Sequence, residues 1–244
     1  MPLVALFAAG LASGALNVVA GGGSFLTLPL LIFLGLPAVE ANGTNRVGVL
    51  VQNLVGVVGF HRSSTMHWRW GLAASVPAVA GAALGAYIAL LMNDFAFKRL
   101  LSVAMLAMTL WTLAKPPSRE GRDAVIAPWH PAVMLSFFVI GIYGGLIQAG
   151  VGFAVLAATS LAGMDLVKGN AVKLLTVLML TALSLIVFVS GGVVRWPFGL
   201  ALGAGNILGA LVGVRLVITR GHQWIRRVVT AAVAICAILL WFDV

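Results

Sequence analysis

Long apolar runs, interrupted at matching places, organise this chain. They occupy 3–20, 24–36, 41–60, 70–92 and 98–114, and then 132–149, 153–163, 169–190, 197–219 and 225–242. Most approach the roughly 20 residues that carry an α-helix across a hydrocarbon core. The second run of each set is too short to span, and a glycine-rich break precedes it: Ala20-Gly21-Gly22-Gly23-Ser24 in the first set, Gly150-Val151-Gly152 in the second. This pattern predicts, twice over, a helix, a break, a short helix that returns the chain to the side it came from, and three full spans.

The two sets also echo each other in residue type. A shift of 131 places Gly10 on Gly141, Gly14 on Gly145, Asn17 on Gln148 and Gly21 on Gly152, while Trp70 and Trp196 match at 126 and Trp111 and Trp241 at 130. The expected fold class is an all-α polytopic membrane protein of two inverted repeats, each a broken short-helix hairpin plus three transmembrane helices. The first repeat takes 1–114 and the second 131–244. The polar stretch at 115–130, which opens Lys115-Pro116-Pro117-Ser118-Arg119, is expected as a linker.

Composition agrees with a membrane chain. The hydrophobic fraction is 61% and the charged fraction 9%, with a mean hydropathy of +1.11, outside the usual balance of a water-soluble domain. The net charge of +9 resides mostly in short connections, where cations report topology rather than nucleic-acid binding. Threading the halves antiparallel puts Arg62, Arg69, Lys115, Arg119, Arg122, Lys168, Lys173, Arg215, Arg220, Arg226 and Arg227 on one side, and Arg46, Lys98, Arg99 and Arg195 on the other. Parallel threading divides the same fifteen cations nine to six, a weaker bias than cytoplasmic loops show. The antiparallel arrangement predicts a cytoplasmic linker and extracytoplasmic termini. The first run reads as a retained span, not a removed signal.

Candidate chemistry lies at the breaks. Non-helical backbone at membrane depth survives where protein or a water-filled cavity satisfies its polar groups, and a helix restarting there aims its N–H groups and positive dipole end at that cavity. Asn17 and Gln148, beside the breaks, favour a ligand site over simple glycine packing. For Gly10/Gly14, Gly81/Gly85 and Gly209/Gly213, close helix packing is the better reading. Asn42-Gly43-Thr44-Asn45 and Lys168-Gly169-Asn170 each open a long helix and resemble N-caps, but Arg46, Gln52 and Asn53, and likewise Lys173 and Thr176, extend the polarity into the spans. Two readings of Arg46 and Lys173 stay open: groups facing a site, or side chains snorkelling to the interface.

The four histidines fall at segment ends and lack metal-site spacing. The six carboxylates all sit near ends, which argues against a carboxylate proton relay and hydrolytic catalysis. Cys236 stands alone, so there is no disulfide framework. The seven tryptophans cluster at segment ends, as interface belts do. An enzyme, a cofactor and a metal centre are therefore not expected.

At these residues the chain resembles the sulfite exporter TauE/SafE family, also called the 4-toluene sulfonate uptake permeases. The likeness is carried by Gly14 through Leu31, which includes Asn17-Val18-Val19-Ala20-Gly21-Gly22-Gly23-Ser24, by Leu34 through Asn45, by Gly141 through Phe153, and by Ser190-Gly191-Gly192-Val193-Val194-Arg195-Trp196. It implies a cell-membrane transporter of anions such as sulfite, sulfonates or sulfoacetate. Val167-Lys168-Gly169-Asn170 departs from the family's Ala-x-Gly-Thr pattern, so a threonine role is not carried over there.

The expectation is a secondary transporter binding a small organic or sulfur-containing anion near the midplane. Asn17, Gly21, Gly22, Gly23, Ser24, Thr44, Asn45 and Arg46 would contribute from one half, and Gln148, Gly150, Gly152, Phe153, Asn170 and Lys173 from the other. An anion channel or a non-transporting membrane scaffold are the alternatives. A coupling ion, H+ or Na+, and a homo-oligomer are left open.

Overall fold

The structure, a computed structural model, describes residues 1–19, 21–113 and 125–242, with side chains left out at 108–113 and 220–242. The first part of the expected linker, with Lys115, Arg119 and Arg122, lies outside the described residues, as do the side chains of Trp111, Arg220, His222, Trp224, Arg226, Arg227, Cys236 and Trp241.

Helix is the only regular structure among the described residues. In order the helices are α1 (Pro2–Val19), α2 (Ser24–Phe33), α3 (Ala38–Arg62), α4 (Trp68–Leu91), α5 (Asp94–Leu113), α6 (Pro131–Leu146), α7 (Val151–Leu161), α8 (Leu166–Ser190) and α9 (Trp196–Phe242). Among the described residues, four helices have spanning length and apolarity: Pro2–Val19, Trp68–Leu91, Leu166–Ser190 and the Trp196–Thr219 part of α9. Their outward faces carry large apolar side chains, with Val76 68%, Ile186 65% and Leu200 60% exposed. Such a surface suits lipid contact and not water. α2 and α7, of 10 and 11 residues, reach about 15 Å at 1.5 Å per residue, half a hydrocarbon core.

The halves share one backbone pattern. Left-handed residues end the short helices at Gly35 (φ +93) and Gly163 (φ +93), and the long ones at Ser64 (φ +56) and Gly192 (φ +70); both pairs lie 128 positions apart. α3 and α8 are each 25 residues and begin at Ala38 and Leu166, again 128 apart. α4 and α9 start at Trp68 and Trp196, so Trp68, not Trp70, is the counterpart of Trp196. The offset of 131 holds only along the first helix of each half. α6 stops about a turn sooner than α1 relative to that alignment. Consequently Asn17 lies in the last turn of α1, whereas its sequence match Gln148 lies beyond the end of α6.

A second departure concerns the end of the chain. Two segments, 197–219 and 225–242, were expected, yet α9 continues through 47 residues without interruption. The intervening Arg220-Gly221-His222-Gln223-Trp224 has no proline, and one glycine costs a helix only about 1 kcal/mol. The count of three separate helices after the hairpin therefore describes the first half and not the second.

Packing interlocks the halves. Gly10 and Gly14 of α1 let the backbone of α9 approach at Leu202 and Asn206, and Gly205 and Gly209 of α9 receive the carbonyls of Phe7 and Leu11. The same device joins α4 to α6: Gly81 and Gly85 meet Phe138 and Ile142, while Gly141 and Gly145 meet Ala78 and Ala82. A Cβ at any of these glycines would collide with backbone, which is the small-residue packing expected between membrane helices. α3 and α8 run between these two glycine-welded pairs, so the centre of the molecule is formed by the two helices that carry the buried Arg46 and Lys173.

Candidate functional site

The polar openings of α3 and α8 are not helix caps. Pro37 and Asp165 occupy the cap positions, so Asn42, Thr44, Asn45 and Arg46, and likewise Asn170 and Lys173, lie inside their helices. Each is at most 1% exposed. That burial decides between the two readings of the cations: neither Arg46 nor Lys173 snorkels. Both are removed from the loop charges used for topology, and the direction of that bias is unchanged.

Each half uses its long helix to cap the broken helix of the other. Asn42 donates from Nδ2 to the Leu146 carbonyl at 3.0 Å, and Asn170, 128 positions later, donates to the Val18 carbonyl at 2.9 Å, also 128 from Leu146. Arg46 donates from Nη2 to the carbonyls of Gly144 and Gly145 at 3.1 and 2.6 Å and from Nη1 to Gln148 Oε1 at 2.8 Å. Lys173 donates from Nζ to the carbonyls of Asn17 and Val18 at 2.7 and 2.9 Å. The last carbonyls of a helix lack internal partners and carry roughly half a negative charge. Inside a membrane they need a donor, and a cation from the partner half satisfies both requirements.

The breaks meet each other. A Cβ added at Gly21 would lie 2.5 Å from the Gly152 Cα, and the reverse distance is also 2.5 Å. Gly21 sits at φ +91, which glycine adopts without strain. Phe25 stacks on Phe153, its counterpart at 128, with ring centroids 6.2 Å apart.

Beside this junction is a cavity of about 10 Å³ lined by Asn17, Gly21, Ser24, Gln148, Gly152 and Lys173, together with Val49, Gln52, Asn53, Val151 and Val177. It has room for about one water. Of the expected site residues, the first six named line it. The others hold its walls. Asn45 accepts from the Thr27 hydroxyl at 2.6 Å and donates to Ser24 Oγ at 3.1 Å, and Thr44 accepts from the Arg195 N–H at 3.0 Å. The Gly23 N–H, expected to face a ligand, is given to Asn17 Oδ1 at 2.7 Å; that of Phe153 goes to the Gly150 carbonyl at 3.0 Å. Gly22 packs against the Phe153 ring.

Gln52, Asn53 and the three valines were not among the expected site residues. A signal existed for the first two: Asn45, Val49, Gln52 and Asn53 fall at i, i+4, i+7 and i+8, one face of a helix.

Hydrogen bonding fixes which atoms face the cavity. Asn17 Oδ1 accepts an N–H, so its other atom is the NH2 donor, and this buried Nδ2 has no partner. Lys173 carries three N–H donors, of which two are committed to carbonyls. Gln148 is held at both ends, by Arg46 and by Thr181 Oγ1 at 3.3 Å. Gln52 Oε1 is buried without a partner. No carboxylate is buried among the described residues, and no group of His, Cys, Asp and Glu there is placed to hold a metal. Free donors beside a buried cation, with no buried carboxylate among the described residues, leave hydrogen-bonding capacity for an acceptor in this cavity.

Comparison with known proteins identifies the family. The family profile described as sulfite exporter TauE/SafE matches residues 6–240. A probable membrane transporter protein of Haemophilus influenzae is 30% identical over 231 residues, 93% of this chain and 89% of that one. The probable membrane transporter protein ORF9 of a Sinorhizobium species is 28% identical over 243 residues, 99% and 93% of the respective chains. The probable membrane transporter protein YfcA of Escherichia coli K12 is 25% identical over 239 residues, 98% and 89%. No solved structure gives a significant match.

Proposed function

The chain belongs to the sulfite exporter TauE/SafE family of membrane transporters, and from that premise we propose a secondary transporter that carries a small sulfur-containing or organic anion through the cavity between its two helix breaks. Sulfite and short sulfonates are the substrate class. One observation carries the reading: Asn17 Nδ2, buried and without a partner, and Lys173, with one N–H uncommitted, line a single cavity in which no carboxylate competes.

The oxyanion would take hydrogen bonds from Asn17 and Lys173, with the Lys173 charge in a low-dielectric setting where such bonds are at their strongest. Gln52, whose amide no partner fixes, would turn its NH2 inward. Sulfite, one sulfur and three oxygens, exceeds a cavity of about 10 Å³, so the conformation described is a closed one. Transport would require the two breaks to part, one half moving against the other. The halves would run antiparallel in a cytoplasmic (inner) membrane, with the linker in the cytoplasm and the N-terminus outside, in keeping with the loop cations; the continuous α9 removes the crossing that would return the C-terminus to the outer side.

The test is flux in proteoliposomes. Sulfite or methanesulfonate flux should saturate with concentration and fall strongly in Asn17→Ala and in Asn45→Ala, the latter because Asn45 holds Ser24 at the cavity wall. Wild-type flux in both variants would remove the assigned site. Non-saturating flux would make the protein a channel. Imposed pH and Na+ gradients read out the coupling ion.

A further inference from the structure

The two buried cations, one position out of register at the offset of 128, each cap the broken helix of the other half but are held differently. Arg46 makes three hydrogen bonds, stacks on the Phe188 ring with Cζ 4.6 Å from its centroid, and does not line the cavity. Its planar fork is fixed, and it reaches the cavity only through Gln148. Lys173 is a flexible chain with two hydrogen bonds, both to the end of α1, and it lines the cavity beside Asn17 and Gly152.

The geometry points to Lys173 as an anion-responsive latch between the halves: anion entry draws its ammonium away from the Asn17 and Val18 carbonyls and loosens the end of α1, while Arg46 keeps the end of α6 fixed. This inference rests on the proposed anion site. Its physical basis is a competition. The helix end offers Lys173 about half a negative charge, whereas a bound anion offers at least a full one in the same water-poor space. The cavity is also too small for the anion unless a wall retreats, and Lys173 is the one lining residue whose charge holds a helix end. Asn170 remains on the Val18 carbonyl, so α1 is loosened and not released. One end of the molecule thus responds to substrate and the other does not, an asymmetry that gives the two halves different parts in opening.

The experiment is hydrogen exchange by mass spectrometry on the purified protein, with and without methanesulfonate, alongside thermal melting. The latch predicts that the anion raises the melting temperature yet speeds exchange in the last turn of α1, Ser13–Val19, by about tenfold, with the last turn of α6, Ile142–Leu146, unchanged. In Lys173→Met the α1 turn should exchange fast already and not respond. Lys173→Arg, which keeps the charge and should fold, should hold α1 protected and blunt the response. A melting shift with no change in α1, or an equal change in α1 and α6, overturns the latch and leaves the anion site standing. No shift with methanesulfonate or sulfite overturns the site and the latch with it.

Discussion

Gly21 and Gly152 touch backbone to backbone, each leaving 2.5 Å between a Cβ of its own and the Cα of the other. Three glycines then separate clash from strain. Gly152→Ala adds overpacking, about 1–3 kcal/mol. Gly35→Ala, at φ +93 with nothing within 4 Å, adds only left-handed strain of about 1–2 kcal/mol. Gly21→Ala adds both, so denaturant melts should order the losses with Gly21→Ala largest, and only the two break variants should stop transport. A Gly35→Ala loss as large as that of Gly21→Ala would mean the breaks are not in contact.

Arg46 and Asn42 cap the same helix end, and their removal should be felt in proportion. Arg46→Met leaves the Gly144 and Gly145 carbonyls and Gln148 Oε1 without their donor, at about 1–3 kcal/mol for each buried group. Asn42→Ala exposes fewer. Arg46→Lys, unable to reproduce the fork, should fall between. Thermal unfolding in detergent ranks the three, and an Arg46→Met protein as stable as the parent would contradict the capping role.

Asn206 offers the opposite case. It is fully buried on α9 beside Gly48, and neither polar atom of its side chain has a partner. Replacing an unsatisfied amide with an apolar group of similar shape relieves its desolvation, so Asn206→Leu should melt at the same temperature or higher. A marked drop would show that Asn206 makes a hydrogen bond essential to the fold.

Asp165 caps α8 by accepting the N–H groups of Val167 and Lys168 at 3.0 and 2.9 Å. Burial pushes its carboxyl upward, but the Lys168 backbone and ammonium together with the Val167 N–H hold it below the usual carboxylate range. A lowered folded value means the cap stabilises above the ordinary carboxylate pKa and is lost as pH falls through the folded value. Asp165→Ala should cost about 1 kcal/mol at neutral pH and flatten the acid limb of the stability profile. An unchanged limb would show that another group titrates there.

Hydropathy made the spans and the two short helices legible, because burying apolar length is a local property of sequence. It marked α3 as well, through the apolar run at 41–60, although Asn42, Asn45, Arg46, Gln52 and Asn53 make that central helix polar on one side. Whether Arg46 snorkels or caps depends on Gly144, Gly145 and Gln148, about 100 positions away, and no local pattern encodes that. The repeat was visible, but its offset was read from the first-helix glycines. The early end of α6 shifts the rest to 128, so Asn17 was matched to a residue with a different backbone. Gln148 serves as a wall held by Arg46, while Asn17 keeps a free donor.

Lys173 and Asn17 together are the proposed point of contact with the anion. Calorimetric titration of sulfite into the purified protein and into Lys173→Gln tests this directly. Saturable binding by the parent and a loss of at least about tenfold in the variant, roughly 1.4 kcal/mol, is the predicted result. Equal affinity in the two proteins would contradict it.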